Sequence, residues 1–469
     1  MKTSLTIGGL LLGGIAVYLG QMQATAIPSD GGAALAGPDV IVGAIPDVAR
    51  YAPATYNTVE YASYAFGSTS CNIGTTQLQW QPNPSNLHPT IPQNMYRIKN
   101  GAIEQIGMSW CKHGFCALQQ NLCGTCTPAG SGCPTVLGIG CSDPYTASLN
   151  GDQGDLKSRG PINPATGVFS GTYTDPTAPT GLPTSLRERV MVARNDLNPA
   201  LNAGAIYVTE CQYIHPDDAS SGNDNNNASY RLCTVGATWS TSLGYPLTLS
   251  GATLQQQPAI NAWKAAHADV TITPVDVVGD GRFLVGSRAI DNGNGTWRYE
   301  YAVQNLNSDR AGGRFSVPLP PGAVVTSASF KGPKYMNGEP YSNLDWTYTV
   351  SGGMITFQCE ANTNVNANAL RWATLYNFRF TCDKAPASGS VQLGLWKAPT
   401  TGSPATSMTV SASVPSGPPP IPGDFDGNGT VDAADLAFLL SAWGTPGADL
   451  NGDNGTDASD LAIVLSNWG

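Results

Sequence analysis

Between about residues 268 and 412 the chain is a run of short segments in which apolar and polar residues alternate. In "WRYEYAV", Trp297, Tyr299, Tyr301 and Val303 alternate with Arg298, Glu300 and Ala302. A period of two puts one set on each face of a strand, and a polar second face means antiparallel strands covering a core on one side. Nine such segments, from "VTITPVDVV" to "SVQLGLWKA", fall in about 140 residues with turn residues between them. That spacing predicts a β-sandwich over 266–412. Cys359 shares a strand face with Ile355 and Phe357, and Cys382 shares one with Phe378 and Phe380. Both thiols are therefore expected to point inward and to join as a buried disulfide.

The segment before it, 27–265, reads as a β-rich body that contains most of the cysteines. Its turns are dense ("QPNPSN", "DPTAPTG"), its clearest strands are "RERVMVAR" and "AIYVTECQYI", and a short helix is expected around "PAINAWKAAHAD". With 54 Gly, 35 Pro and only 12% charged residues in 469, short strands and many turns suit the whole chain. The fold class expected is mainly β. The net charge of −10 excludes a general basic footprint for nucleic acid.

The first residues carry a Lys, an apolar run from about Leu5 to Leu19 and then Ala24-Thr25-Ala26. This pattern predicts a secretory signal over 1–26, a secreted or cell-surface location, and no membrane span once the signal is cleaved. Eleven Cys fit that compartment. Six crowd between Cys111 and Cys141, and Cys211 and Cys233 form a further local pair, so a Cys211–Cys233 disulfide is expected alongside Cys359–Cys382. The odd count leaves at least one thiol over. Cys111, His113, Cys116, Cys123 and Cys126 could be drawn as a zinc site, but in a secreted chain disulfides are the better reading.

The body offers no catalytic signature. There is no G-x-S-x-G and no H-E-x-x-H. "ECQYIHPDDASSGNDNNNAS" sets Glu210, His215, Asp217 and Asp218 close together. Paired carboxylates can do acid–base work on a glycan. The Asp- and Asn-rich composition is also ordinary turn chemistry, which is the reading preferred here.

After the Pro-rich linker 413–423 the chain spells one acidic twelve-mer twice, "DFDGNGTVDAAD" from Asp424 and "DLNGDNGTDASD" from Asp449. A calcium loop of the EF-hand kind places oxygens at positions 1, 3, 5, 7, 9 and 12, with Gly at 6. The first copy puts Asp424, Asp426, Asn428, Thr430 (by its carbonyl), Asp432 and Asp435 in those slots, with Gly429 at the turn. The second puts Asp449, Asn451, Asp453, Gly455, Asp457 and Asp460 there, with Asn454 in place of the turn Gly and Thr456 where the first has Val431. Two Ca²⁺ sites are expected, the second weaker. Each loop is followed by a helical stripe: Leu436, Leu439, Leu440 and Trp443, then Leu461, Val464, Leu465 and Trp468. No helix can precede either loop, because "GPPPIPG" and "GTPGA" stand there.

This doubled loop–helix unit, with Asp at position 12 and a 25-residue period, resembles a type I dockerin over 424–469. The trailing Trp-Gly is similar to tails on large secreted proteins of planctomycete-type bacteria. The resemblance implies a small α-helical domain that folds on Ca²⁺ and docks onto a cohesin-like or other cell-surface protein. It also implies recognition at loop positions 10 and 11, here Ala433, Ala434, Ala458 and Ser459. Two functions follow as expectations. One is a secreted binding or surface-structural protein, with polysaccharide as a further partner, attached through a Ca²⁺-dependent tail. The other is a polysaccharide-active enzyme, of the glycoside hydrolase type, carrying the same tail.

Overall fold

The computed structural model describes residues 36–417, 421–426 and 428–469, so the expected signal segment lies outside them. The described chain is mainly β, with small helices at the C-terminal end. Among the described residues no helix is long and apolar enough to cross a membrane.

The alternating segments form the expected sandwich. One sheet orders Thr271–Asp276, Arg282–Asp291, Trp297–Asn305, Thr374–Cys382 and Val325–Lys331. The other orders Thr347–Ser351, Met354–Gln358, Gly312–Pro318, Pro386–Leu395 and Ser407–Pro415. All neighbours are antiparallel. Tyr299, Tyr301 and Val303 are fully buried between the sheets. Phe315 stacks on Phe378 across the gap at 4.8 Å between ring centroids. The tenth strand, Ser407–Pro415, has no counterpart among the nine segments read from the sequence, and it runs into the stretch expected to be linker.

The body is built on a six-stranded antiparallel sheet ordered Leu156–Lys157, Ala102–His113, Thr90–Lys99, Ile206–Gln212, Ala228–Val235 and Leu247–Leu254. Two three-stranded sheets and a strand pair pack around it. The helix expected near 258–269 forms over Ile260–Ala266 and joins body to sandwich. Its Trp263 is fully buried in a cluster with Tyr96, Ile98 and Ile103 of the body and Ala302 and Leu375 of the sandwich. Gly286 makes room for it, since a Cβ there would lie 2.9 Å from the indole ring. The polar face of the sandwich sheet is therefore partly covered by protein. Glu300 lies on that face and is only 1% exposed.

Both expected disulfides are replaced by free thiols. Strand register is the reason in each case. In the hairpin Ile206–Gln212/Ala228–Val235, Cys233 lies opposite Tyr207 and Cys211 opposite Ser229. Four positions of strand, roughly 13 Å, separate the two thiols, too far for a bridge. Cys382 ends the strand Thr374–Cys382, whereas Cys359 is hydrogen-bonded to Gly313, beside Leu370 and the start of that strand. A shared inward face does not fix position along the strand. The disulfides that do form are Cys71–Cys123, Cys116–Cys133 and Cys126–Cys141. Non-reducing peptide mapping should return these three, and thiol titration of the denatured chain should count Cys111, Cys211, Cys233, Cys359 and Cys382. Cys71–Cys123 closes a 52-residue separation, so Cys123→Ser should cost about 4 kcal/mol of stability in the chain-entropy estimate.

Candidate metal centre

The two acidic repeats fold alike. Gly429 and Asn454, at position 6 of each loop, both take positive φ, +90° and +71°. An Asn tolerates this region better than most residues, which lets the second loop close without the glycine. Position 1 anchors the turn in each copy. Asp424 accepts from Asn428 N–H at 3.1 Å and Gly429 N–H at 2.9 Å. Asp449 accepts from Gly452 N–H at 2.7 Å and Asn454 N–H at 2.8 Å. Asp426, Asn428, Asn451 and Asp453 accept from N–H groups within their own loops.

Position 12 ties loop to helix. Asp435 accepts from Phe425 N–H at 2.7 Å and Asp432 N–H at 2.9 Å. Asp460 accepts from Leu450 N–H at 2.7 Å and Asp457 N–H at 2.8 Å. These backbone donors, Asp432 N–H foremost for the one and Asp457 N–H for the other, hold both carboxyls below the usual aspartate range. Asp432 and Asp457 cap the helices Ala433–Ser441 and Ala458–Ser466 in capping boxes closed by Asp435 and Asp460. In the first loop one carboxylate oxygen from each of Asp424, Asp426 and Asp435 lies within 4.8 Å of the other two. Three carboxylates converging with Asn428 and Asp432 beside them are the hard-oxygen donor set that suits Ca²⁺. The second loop repeats the arrangement with Asn451 in place of one Asp.

Position 8 of each loop meets the end of the other unit rather than the other loop. Val431 bridges to Trp468 and accepts from Gly469 N–H at 3.2 Å; Thr456 accepts from Gly444 N–H at 2.9 Å. Each loop thus lies against the Trp-Gly that ends the other helix, and the two units run antiparallel. The helical stripes are only partly buried: Val431, Leu439, Ala448 and Val464 form the small core. Phe438, Leu440, Trp443, Leu465 and Trp468 stay exposed, as do Ala433, Ala434, Ala458 and Ser459.

The body's candidate residues serve as structural groups, and Glu210 shares no hydrogen-bond partner with His215, Asp217 or Asp218. Glu210 is fully buried and accepts from Asn94 Nδ2 at 3.0 Å, Tyr96 OH at 2.6 Å, Ala259 N–H at 2.6 Å and Gln304 Nε2 at 2.8 Å. Asp218 is fully buried and accepts from Val40 N–H and Asn227 Nδ2, and burial pushes its carboxyl well up. His215 caps the helix Pro216–Ser220 and bonds the Gln79 carbonyl at 2.7 Å; burial lowers it to about 4. Asp217 accepts from Gln79 N–H at 3.2 Å. His113, drawn into the zinc alternative, is buried between His88 at 2.9 Å and Tyr173 OH at 3.0 Å, while Cys116, Cys123 and Cys126 are in disulfides.

No family model and no curated protein matches this chain. Among solved structures, a serine-rich repeat adhesion glycoprotein of Streptococcus agalactiae aligns at 9% identity over 77% of this chain and 90% of its own, with a TM-score of 0.19. An exo-chitosanase of Amycolatopsis orientalis aligns at 10% identity over 75% of this chain and 25% of its own, with a TM-score of 0.15. At such TM-scores neither alignment bears on fold or function.

Proposed function

We propose that this is a secreted β-rich binding or surface-structural protein held to a partner by a Ca²⁺-dependent, dockerin-like tail. The observation that carries the reading is the convergence of Asp424, Asp426 and Asp435 in a loop that the chain builds a second time around Asp449, Asn451 and Asp460. Asp424, Asp426, Asn428, Thr430, Asp432 and Asp435 would hold one ion, and Asp449, Asn451, Asp453, Gly455, Asp457 and Asp460 the other. Bound Ca²⁺ offsets the repulsion among the carboxylates, so ion binding and folding are one event. The chain's own part is to present a surface. Five large apolar side chains left exposed on so small a unit, beside Ala433, Ala434, Ala458 and Ser459, are what a docking face needs.

The binding reading of the body is favoured over the hydrolytic one because Glu210 and Asp218 are spent on buried hydrogen bonds. The test is capture on immobilised full-length protein. A cell-surface protein from the native host should be retained with Ca²⁺ and released by chelator. The double variant Asp435→Ala/Asp460→Ala should retain none. Retention indifferent to chelator and to the variant would end the attachment role.

A further inference from the structure

A second site lies where body meets sandwich. The hairpin Thr90–Lys99/Ala102–His113 turns at Asn100 and Gly101 over the outer face of the sandwich sheet. A cleft of about 280 Å³ opens there, lined by Arg97, Lys99, Glu104, Arg298, Glu300 and Arg379. Register gathers these residues from four strands: Arg97 lies opposite Glu104 in the hairpin, and Glu300 opposite Arg379 in the sheet.

Both carboxylates are saturated from within. Glu104 takes Arg97 and Arg379, each at 2.9 Å, and Glu300 takes Arg298 at 3.0 Å and Arg379 at 3.1 Å. Asp196 pairs Arg97 at 3.0 Å, and the charge of Lys331 also acts on Glu104. The cleft lining thus holds four cations and two carboxylates, with Asp196 a third carboxylate on Arg97, in a chain with 23 cationic and 33 anionic side chains overall. The Lys99 ammonium bonds only neutral acceptors, the Leu201 carbonyl and Asn202 Oδ1. Arg298 and Arg379 are each 31% exposed, and among the described residues their Nη1 groups have no hydrogen-bond partner.

We propose that this cleft binds the oxyanion groups of an acidic polysaccharide, carboxylate or sulfate, with Lys99, Arg298 and Arg379 as donors. Guanidinium edges match such planar or trigonal oxygens in paired hydrogen bonds, and a junction between domains is a preferred place for a ligand cleft. No aromatic ring lines the cleft, so it lacks the stacking platform of a single-stranded nucleic-acid site. The proposal is independent of the tail.

Full-length protein in buffer without added calcium, so that uronate chains do not gel, is titrated calorimetrically with four probes: an oligogalacturonate, a chondroitin sulfate oligosaccharide, a cello-oligosaccharide and single-stranded DNA. At least one acidic oligosaccharide should bind, more weakly as salt rises, and the neutral one should not. The preferred acidic probe identifies carboxylate or sulfate as the group read. Lys99→Ala and Arg298→Ala should each weaken binding at least five-fold and together at least twenty-fold, with unchanged circular dichroism. Lys99→Ala, at the surface, tests the claim even if Arg298→Ala folds poorly. The proposal falls if neither acidic oligosaccharide binds at millimolar concentration, or if Lys99→Ala binds as the wild type does. It also falls if DNA binds as tightly as the oligosaccharides, or if inorganic sulfate competes as well as they do.

Discussion

Calcium titrated into a fragment spanning 417–469 should bind at two sites and convert a weakly structured peptide into a helical one. Four fully buried apolar side chains are too small a core to order such a segment alone. Without the ion, the carboxylates of Asp424, Asp426 and Asp435 repel at close range. Asp435→Ala should remove the first site and Asp460→Ala the second. Each change deletes a ligand and also frees the backbone N–H groups that position 12 holds. The stoichiometry should fall from two to one in either variant. The first site should be tighter, since Asn454 takes a left-handed backbone that Gly429 takes without strain. The difference expected is about 1 kcal/mol, roughly five-fold in affinity, and Asn454→Gly should recover it. Mg²⁺ should substitute poorly in a loop of this ligand number. A flat calorimetric trace together with a helical metal-free spectrum would remove the calcium reading.

Glu210→Ala should destabilise the body by about 4 kcal/mol, measured by urea unfolding. It strips the acceptor from Asn94, Tyr96, the Ala259 N–H and Gln304 at once, in a site with no exposure to water. Glu210→Gln should cost about half as much, because its NH₂ faces a donor whichever way the amide turns, Asn94 Nδ2 at one oxygen position or Ala259 N–H and Gln304 Nε2 at the other. This separates a structural role from a catalytic one. If the wild type releases sugar from a glycan and Glu210→Gln abolishes release while its unfolding curve is unchanged, Glu210 is a catalytic residue and the binding reading fails.

The sandwich was legible because its alternation is dense and regular. Tyr299, Tyr301 and Val303 lie in the core where their period puts them. The strand Ser407–Pro415 carries the same alternation, with Met408, Val410, Ala412 and Val414 against Ser and Thr, but the Pro-rich run it leads into reads as the start of a linker. Neither cysteine expectation holds, because each rests on a local cue. Sequence proximity suggested Cys211 with Cys233, and a common face suggested Cys359 with Cys382, yet a disulfide needs two Cα atoms within about 7 Å. Cys71 reaches Cys123, with Cα atoms 5.8 Å apart, because Cys71 lies opposite Ser142 and Ser142 also bridges to Gln120 and accepts from Leu122 N–H.

By itself the sequence determined what is local. Period-two strands made the chain mainly β, and two twelve-residue repeats set the turn and the cap of each loop, because hydrogen bonds such as those to Asp424, Asp435, Asp449 and Asp460 act within a dozen residues. Tertiary structure alone decided what depends on distant segments meeting. It buried Glu300 on a face that alternation marks as outward, because the body's hairpin covers that face. It also turned Glu210 and Asp218 from candidate acids into buried acceptors, and it assembled Arg97, Lys99, Arg298 and Arg379 from positions up to 282 residues apart into one cleft. Strand register and the packing of one sheet on another set these contacts, and neither is a property of any short stretch of chain.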